Sequence, residues 1–102
     1  MILISGVAGF AGTHLARLCA KRGVEVAGLG RHAQVELPGV SVYEQVDLHD
    51  AEAVREVVAR LQPEQVVHLA AQASVARSWE TPADVISSNV TTSLNLLEAV
   101  RL

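Results

Sequence analysis

The chain has 102 residues, 50% of them hydrophobic and 19% charged, which predicts a single globular domain over residues 1–102. Its formal net charge of -3 gives no electrostatic reason to expect a nucleic acid or an anionic membrane surface as a partner. The single cysteine, Cys19, excludes a disulfide within the chain. No stretch has the length of a signal-peptide core or a membrane span, so we expect a cytoplasmic protein.

Strands and helices alternate along the predicted chain. Apolar runs that end at glycine predict buried strands, and apolar positions three or four residues apart predict helices. The predicted elements are, in chain order, a strand over 1–5, a helix over 10–22, strands over 24–29 and 40–46, a helix between the cap Asp50 and Pro63, a strand over 65–70, and a helix from 82 to about 100 capped by Thr81. This alternation predicts an α/β Rossmann-like, doubly wound parallel sheet of four strands in the order 3-2-1-4.

Three glycines separate the first predicted strand from the first predicted helix. Gly6 permits a tight turn, Gly9 lets the backbone approach a pyrophosphate, and Gly12 lets the helix pack close to the sheet. The N–H groups of Phe10 and Ala11 at the helix N-terminus would face the phosphates. The alternative is a glycine-rich turn that binds nothing. The context of strand, turn and helix favours dinucleotide binding.

The end of the second predicted strand bears on the choice of cofactor. An acidic residue there would bind the ribose hydroxyls of NAD and repel a 2′-phosphate, but the sequence has Gly30 and Arg31. A guanidinium suits a phosphate, so we expect NADP, with NAD as the alternative. Arg31 as an ordinary solvated loop residue remains open.

Five motifs together resemble the extended short-chain dehydrogenase/reductase family, also described as NAD-dependent epimerases and dehydratases. The motifs are residues 5–12 (SGVAGFAG), 46–48 (VDL), 68–72 (HLAAQ), Asn89, and 95–99 (NLLEA). Residues 71–75 (AQASV) with 78–80 (SWE) are most similar to GDP-mannose 4,6-dehydratases and GDP-6-deoxy-4-keto-mannose reductases. The resemblance spans the whole chain but only the N-terminal portion of such an enzyme, so it implies a fold that is incomplete relative to the family.

The resemblance also implies roles for individual residues. Asp47 would accept from the adenine amino group while the Leu48 backbone meets the ring edge, although an acid here could instead cap the next helix. Residues around the nicotinamide ribose would be Leu69, Ala70, Ala71 and Asn89, which could otherwise be a core strand end and a buried asparagine bonded to backbone. Residues facing the sugar nucleotide would be Ser74, Arg77 and Ser78, unless their loop is simply solvated.

No catalytic residue is predicted in the chain. The family's chemistry resembles hydride transfer assisted by a tyrosine and a lysine four positions later on one helix face. The only tyrosine is Tyr43, and the only lysine, Lys21, precedes it. The four histidines show no paired ligand spacing, so no metal site is predicted.

Three hypotheses follow from the sequence. The chain is the cofactor-binding part of a sugar-nucleotide dehydratase, reductase or epimerase, which would meet its substrate only together with a missing C-terminal part. It is otherwise a non-catalytic NADP-binding module that acts as a sensor or scaffold, or, less in keeping with its motifs, a flavodoxin-like regulator. The first two hypotheses differ in whether the coding sequence downstream of Leu102 encodes a Tyr-x-x-x-Lys motif in frame. We also expect self-association, because apolar residues surround the last helix.

Overall fold

A computed structural model describes residues 1–33, 37–69 and 82–101. The elements are β1 (Ile2–Ser5), α1 (Phe10–Lys21), β2 (Val26–Gly30), β3 (Val42–Gln45), α2 (Ala51–Leu61), β4 (Gln65–His68) and α3 (Pro82–Arg101). The strands form one parallel sheet in the order β3-β2-β1-β4. The predicted α/β fold and strand order are therefore confirmed.

The sheet is covered on both faces. Successive residues of a strand point to opposite faces, so neighbouring residues such as Leu3 and Ile4 enter two different cores. Leu3 packs in the layer that α2 and α3 cover, and Ile4 packs in the layer that α1 covers. Because both faces are apolar, the strands read as continuous hydrophobic runs. Cys19 is 8% exposed within the α1 layer, as expected for a small core residue.

The turn after β1 depends on two glycines. Gly6 has a φ of +69°, the left-handed conformation that glycine adopts most readily. Gly12 lies in the first turns of α1, where a Cβ would overlap the Gly6 carbonyl oxygen and lie 2.7 Å from Val7 Cα. Gly6 therefore forms the tight turn, and Gly12 permits the close approach of α1, as the sequence predicts.

The observed strands are shorter than the predicted ones. The Val24 N–H donates to the Cys19 carbonyl oxygen over 2.9 Å, so residue 24 still belongs to the turn after α1. At the other end of the sheet, β3 occupies Val42–Gln45 rather than residues 40–46, although Val40 and Val46 still pack in the core. Apolar content alone predicts burial here, and it does not predict where ladder pairing begins.

Both later helices agree with the sequence signals. The Asp50 side chain accepts from the Ala53 N–H over 3.1 Å, so Asp50 caps α2 as predicted. Helix α3 begins at Pro82, while the proposed cap Thr81 lies outside the described residues. Among the described helices, none combines the length and apolar content that crossing a membrane requires.

Helix α3 also fixes the segment that follows β3. Asn95 Nδ2 donates to the Leu48 carbonyl oxygen over 2.8 Å. Leu96 and Ala99, the next buried residues of the helix, pack with Val54 and Val58 of α2. The polar contact and the apolar packing together hold residues 46–49 against α3.

Candidate functional site

A cleft of about 400 Å³ opens at the carboxyl ends of β1, β2 and β3. This is the edge at which open parallel sheets bind ligands, and the volume is that of a small-molecule site. The cleft is lined by Gly6, Ala8, Gly9, Leu29, Gly30, Arg31, His32, Val46, Asp47, Leu48, His49, Leu69, Ser88, Asn89 and Thr92.

One wall of the cleft is the glycine turn with the start of α1. Gly9 is the N-cap residue, so no side chain caps this end, and the first turn of α1 contains no acidic residue. The positive end of the helix dipole is therefore not neutralised by α1 itself. Gly6 and Gly9 line the cleft, whereas the predicted Phe10, Ala11 and Gly12 do not. The exposed Phe10 ring instead packs edge-on against His14, with centroids 4.6 Å apart.

A second wall is the chain that leaves β2. Gln45 Nε2 donates to the Arg31 carbonyl oxygen over 3.2 Å, and the Tyr43 hydroxyl donates to the His32 carbonyl oxygen over 3.0 Å. A Cβ at Gly30 would overlap that hydroxyl, so glycine at this position leaves room for the Tyr43 side chain. The backbone of the Arg31 segment is thus held by β3, while the Arg31 side chain is exposed at the cleft.

A third wall carries the charge of Asp47. The His49 backbone N–H donates to Asp47 Oδ1 over 3.0 Å, and the ring nitrogen Nδ1 of His49 lies 2.9 Å from the same oxygen. These two hydrogen bonds hold the pKa of Asp47 below its ordinary 3.8, and the one from the backbone has the larger effect. The Arg31 charge adds a smaller effect in the same direction. Asp47 is therefore an ionised acceptor at neutral pH. It does not cap α2, because Asp50 does.

The last wall comes from Leu69 and from α3. Asn89 is half-buried and lines the cleft, and its carbonyl oxygen accepts from the Thr92 hydroxyl over 3.2 Å. Ser88 reaches the other ring nitrogen of His49, with Nε2 and Oγ 2.8 Å apart. The remaining predicted residues, Ala70, Ala71, Ser74, Arg77 and Ser78, lie outside the described residues.

The structure thus brings together most of the described residues that the sequence predicted, but it also adds others. The sequence does not predict His49 and Ser88, because the spacing of the histidines bears only on metal ligation. The spacing of Asp47 and His49 does carry a signal, because an aspartate side chain commonly accepts a hydrogen bond from the backbone N–H two residues later. Ser88, Thr92 and Asn95, spaced four and three apart, also form a polar stripe on one face of α3.

Beside the cleft, a second pair links β1 and β4. Ser5 is fully buried, and its Oγ lies 2.6 Å from His68 Nδ1 and accepts from the Leu69 N–H over 3.0 Å. Burial lowers the pKa of His68. This pair joins the ends of the two strands rather than lining the cleft. In the described ranges, no group of three or more histidine, cysteine, aspartate or glutamate side chains has the geometry to hold a metal ion.

Comparison with known proteins gives a family match along the chain. The NAD dependent epimerase/dehydratase family matches residues 2–102. UDP-glucuronate 4-epimerase 4 of Arabidopsis thaliana is 34% identical over 110 residues, which cover 95% of this chain and 25% of that protein. The dTDP-glucose 4,6-dehydratase of Neisseria meningitidis is 36% identical over 110 residues, covering 98% of this chain and 31% of that protein.

A solved structure gives the same relation in three dimensions. The UDP-glucose 4-epimerase of Thermus thermophilus, in complex with NAD, superposes with a TM-score of 0.86 at 40% identity and covers 98% of this chain. This chain corresponds to 33% of that one. The chain therefore spans about a third or less of the length of these relatives.

Proposed function

Because the chain belongs to the NAD-dependent epimerase/dehydratase family, we propose that residues 1–102 form the dinucleotide-binding portion of an enzyme that transforms a nucleotide sugar by hydride transfer. The observation that carries this proposal is the cleft at the carboxyl ends of the strands, with a glycine turn and an ionised acceptor among its walls. A bound nicotinamide would supply the hydride acceptor. The residues of this chain would bind and orient it.

The proposed phosphate site is the turn between β1 and α1. Backbone at Gly6 and Gly9 would approach the pyrophosphate, and the N–H groups of Phe10 and Ala11 would donate to it from the uncapped helix end. Gly12 would keep α1 close enough for this. This turn suits a pyrophosphate because its backbone N–H groups can donate and because the first turn of α1 contains no acidic residue.

The proposed base and ribose contacts lie on the other walls. Asp47 would accept from the adenine amino group, and the Leu48 backbone would meet the ring edge. Around the nicotinamide ribose we propose Leu69 and Asn89, together with Ala70 and Ala71 of the adjoining segment. The small side chains of the alanines would allow close approach of the ring.

We propose further that this site prefers NADP to NAD. The support is that Arg31 follows β2 directly and is exposed at the cleft, where a guanidinium would pair with a 2′-phosphate. Relatives bind NAD, as the Thermus enzyme does, so the preference depends on this residue. NAD binding remains compatible with the same cleft.

Calorimetric titration of the purified chain with both cofactors tests the proposal. We expect NADP to bind about tenfold more tightly than NAD, since hydrogen bonds to charged groups contribute roughly 1.5–3 kcal/mol and this one is exposed. Arg31→Ala should remove the difference, whereas Arg22→Ala, at the far end of α1, should keep it. Gly9→Asp should weaken both cofactors by placing a carboxylate at the phosphate site. Equal affinities, or a preference for NAD, would refute the NADP proposal, and failure to bind either would refute the function.

For the whole enzyme we propose a nucleoside diphosphate sugar as substrate. The relatives named above act on UDP- and dTDP-linked sugars by their names, whereas the segment with Ser74, Arg77 and Ser78 favours GDP-mannose. These three residues are proposed to face the sugar nucleotide. Hydride transfer would need an acid-base pair that these 102 residues do not contain, because Tyr43 and Lys21 cannot form a Tyr-x-x-x-Lys motif.

The alternative function is a non-catalytic NADP-binding module. Both functions require cofactor binding, so titration does not separate them. Turnover does: a protein that includes this chain and converts UDP-glucuronate, dTDP-glucose or GDP-mannose is an enzyme. One that binds NADP and converts none of these sugars supports the module.

A further inference from the structure

The Asp47 carboxylate is held asymmetrically. Both of its described hydrogen bonds, from the backbone and from the ring of His49, end on Oδ1. The side chain of Asp47 is 61% exposed, and it lines the cleft. A carboxylate has two acceptor oxygens. The arrangement therefore occupies one oxygen and leaves Oδ2 as the acceptor that a ligand would meet.

The ring of His49 has a defined tautomer in this arrangement. Because ionised Asp47 only accepts, Nδ1 of His49 must donate the hydrogen bond to Oδ1. In the neutral ring Nε2 then carries a lone pair, and the Ser88 hydroxyl donates to it over 2.8 Å. The donors thus run from Ser88 to His49 to Asp47. A carboxylate held in this way by a histidine cannot rotate without breaking two bonds.

The same segment is tied to α3 a second time. Asn95, seven residues after Ser88 and therefore on the same helix face, donates to the Leu48 carbonyl oxygen. The position of the Asp47 carboxylate is consequently set by α3 through two contacts, one to the backbone and one to the ring. Groups held by packing and hydrogen bonds recognise ligands with less ordering cost.

We infer that His49, held by Ser88 of α3, is a positioning residue that fixes Asp47 so that the cleft selects a purine base with an exocyclic amine over one with a carbonyl at that position. This inference rests on the proposed function, because it requires a dinucleotide in the cleft. An amine donates to Oδ2, whereas a carbonyl oxygen would face a carboxylate with no proton between them. Without the His49 ring, Asp47 keeps only the hydrogen bond from the backbone N–H of residue 49, so the carboxylate is held less firmly and the selection weakens.

The test compares NAD with nicotinamide hypoxanthine dinucleotide, in which a carbonyl replaces the adenine amine. We expect the 102-residue chain to bind NAD about tenfold more tightly than the analogue. His49→Ala should reduce this ratio to about threefold or less, and Ser88→Ala should reduce it part of the way. Because the ratio compares two ligands on one variant, a general loss of stability does not change it.

Conservative variants distinguish the loss of a hydrogen-bonding group at His49 or Ser88 from the loss of side-chain volume. His49→Asn retains an amide donor near the position of Nδ1 and should recover most of the ratio, and Ser88→Thr retains the hydroxyl. Arg101→Ala removes an exposed ion pair with Glu98 at the other end of α3 and serves as the control. Nitrogen-15 shifts of the His49 ring should show the Nδ1–H tautomer, because the ionised Asp47 carboxylate only accepts.

The outcomes distinguish the inference from the function beneath it. A chain that binds NAD but keeps its full ratio in His49→Ala overturns the inference and leaves the function standing. So does a chain that binds both dinucleotides equally. A chain that binds neither overturns both. A ratio that falls in His49→Ala and returns in His49→Asn supports the inference.

Discussion

His68 shows how burial changes the behaviour of one side chain. It stands at the end of β4, with Nδ1 against the buried Ser5 hydroxyl, and Nε2 is buried without a hydrogen-bond partner among the described residues. Desolvation disfavours the charged ring, so the pKa of His68 lies below its ordinary 6.5. The neutral form is the one that the fold accommodates.

The stability of the chain should therefore fall as the pH is lowered below 6.5. Above that pH the His68 ring is neutral in both states and contributes nothing. Below it the unfolded chain takes up the proton first, so stability is lost until the pH reaches the lower pKa of the folded state. Melting temperatures between pH 7.5 and 5 would measure this. His68→Asn, which keeps a polar atom near Ser5, should melt lower throughout but with a weaker dependence on pH.

The depressed pKa of Asp47 acts in a different range. Its contribution is present above the unfolded value of about 3.8 and is lost as the pH falls through the lower folded value. Most of the Asp47 effect falls below the pH 7.5 to 5 interval of that measurement, so it does not obscure the contribution of His68. An unchanged pH dependence in His68→Asn would contradict the assignment to this ring.

The same residues show how far sequence predicts a site. Gly6, Gly9 and Arg31 were predicted from their positions after strands, and the resemblance added Asp47 and Asn89. All line the cleft. The contact of His49 with Ser88 could not be predicted, because it depends on how α3 lies against the segment after β3, 39 residues earlier. Sequence patterns report neighbours along one element more readily than contacts between elements.

At the scale of elements, the junction of β1 and α1 is tightly constrained by the contact between Gly12 and the Gly6–Val7 backbone. Gly12→Ala would place a Cβ against the Gly6 carbonyl oxygen and Val7 Cα, which are backbone atoms and cannot rotate away. We expect a loss of about 1–3 kcal/mol in the free energy of unfolding, despite the better helix propensity of alanine.

Gly9→Ala is the matched control for that substitution. Its Cβ would approach only the Gly6 carbonyl oxygen, at 3.3 Å, so the cost should be clearly smaller. Urea unfolding of both variants, read by circular dichroism, provides the measurement. Equal stabilities would mean that α1 moves away from the turn without penalty.

Element order was predictable here because each connection has its own signal. Asp50 caps α2, and the strand order follows from alternating strands and helices in parallel sheets. Strand ends were less predictable. Val24 is apolar enough for a strand, yet its N–H is taken by the end of α1, a competition that composition does not reveal.

At the scale of the molecule, α3 has an apolar side that the sheet does not cover. Leu96 is 3% exposed and packs in the core, but Leu94 is 53% and Leu97 68% exposed. Val90 and Val100 extend the same uncovered surface. The four described strands offer one face to α2 and α3 together, so only part of an apolar helix can be buried there. The sequence already indicated this excess.

We therefore expect the 102-residue chain to self-associate at micromolar concentration. Covering the exposed leucines of α3 with another surface lowers the free energy by roughly 25 cal/mol for each Å² buried, and among the described strands β4 lies at an edge of the sheet, where another chain could pair. Light scattering on the purified chain measures the association. Leu97→Lys combined with Leu94→Lys should restore a monomer, whereas Leu18→Lys, at a single exposed leucine of α1 on the opposite face, should not. A monodisperse monomer that melts cooperatively without these substitutions would contradict the expectation and would favour the stand-alone binding module.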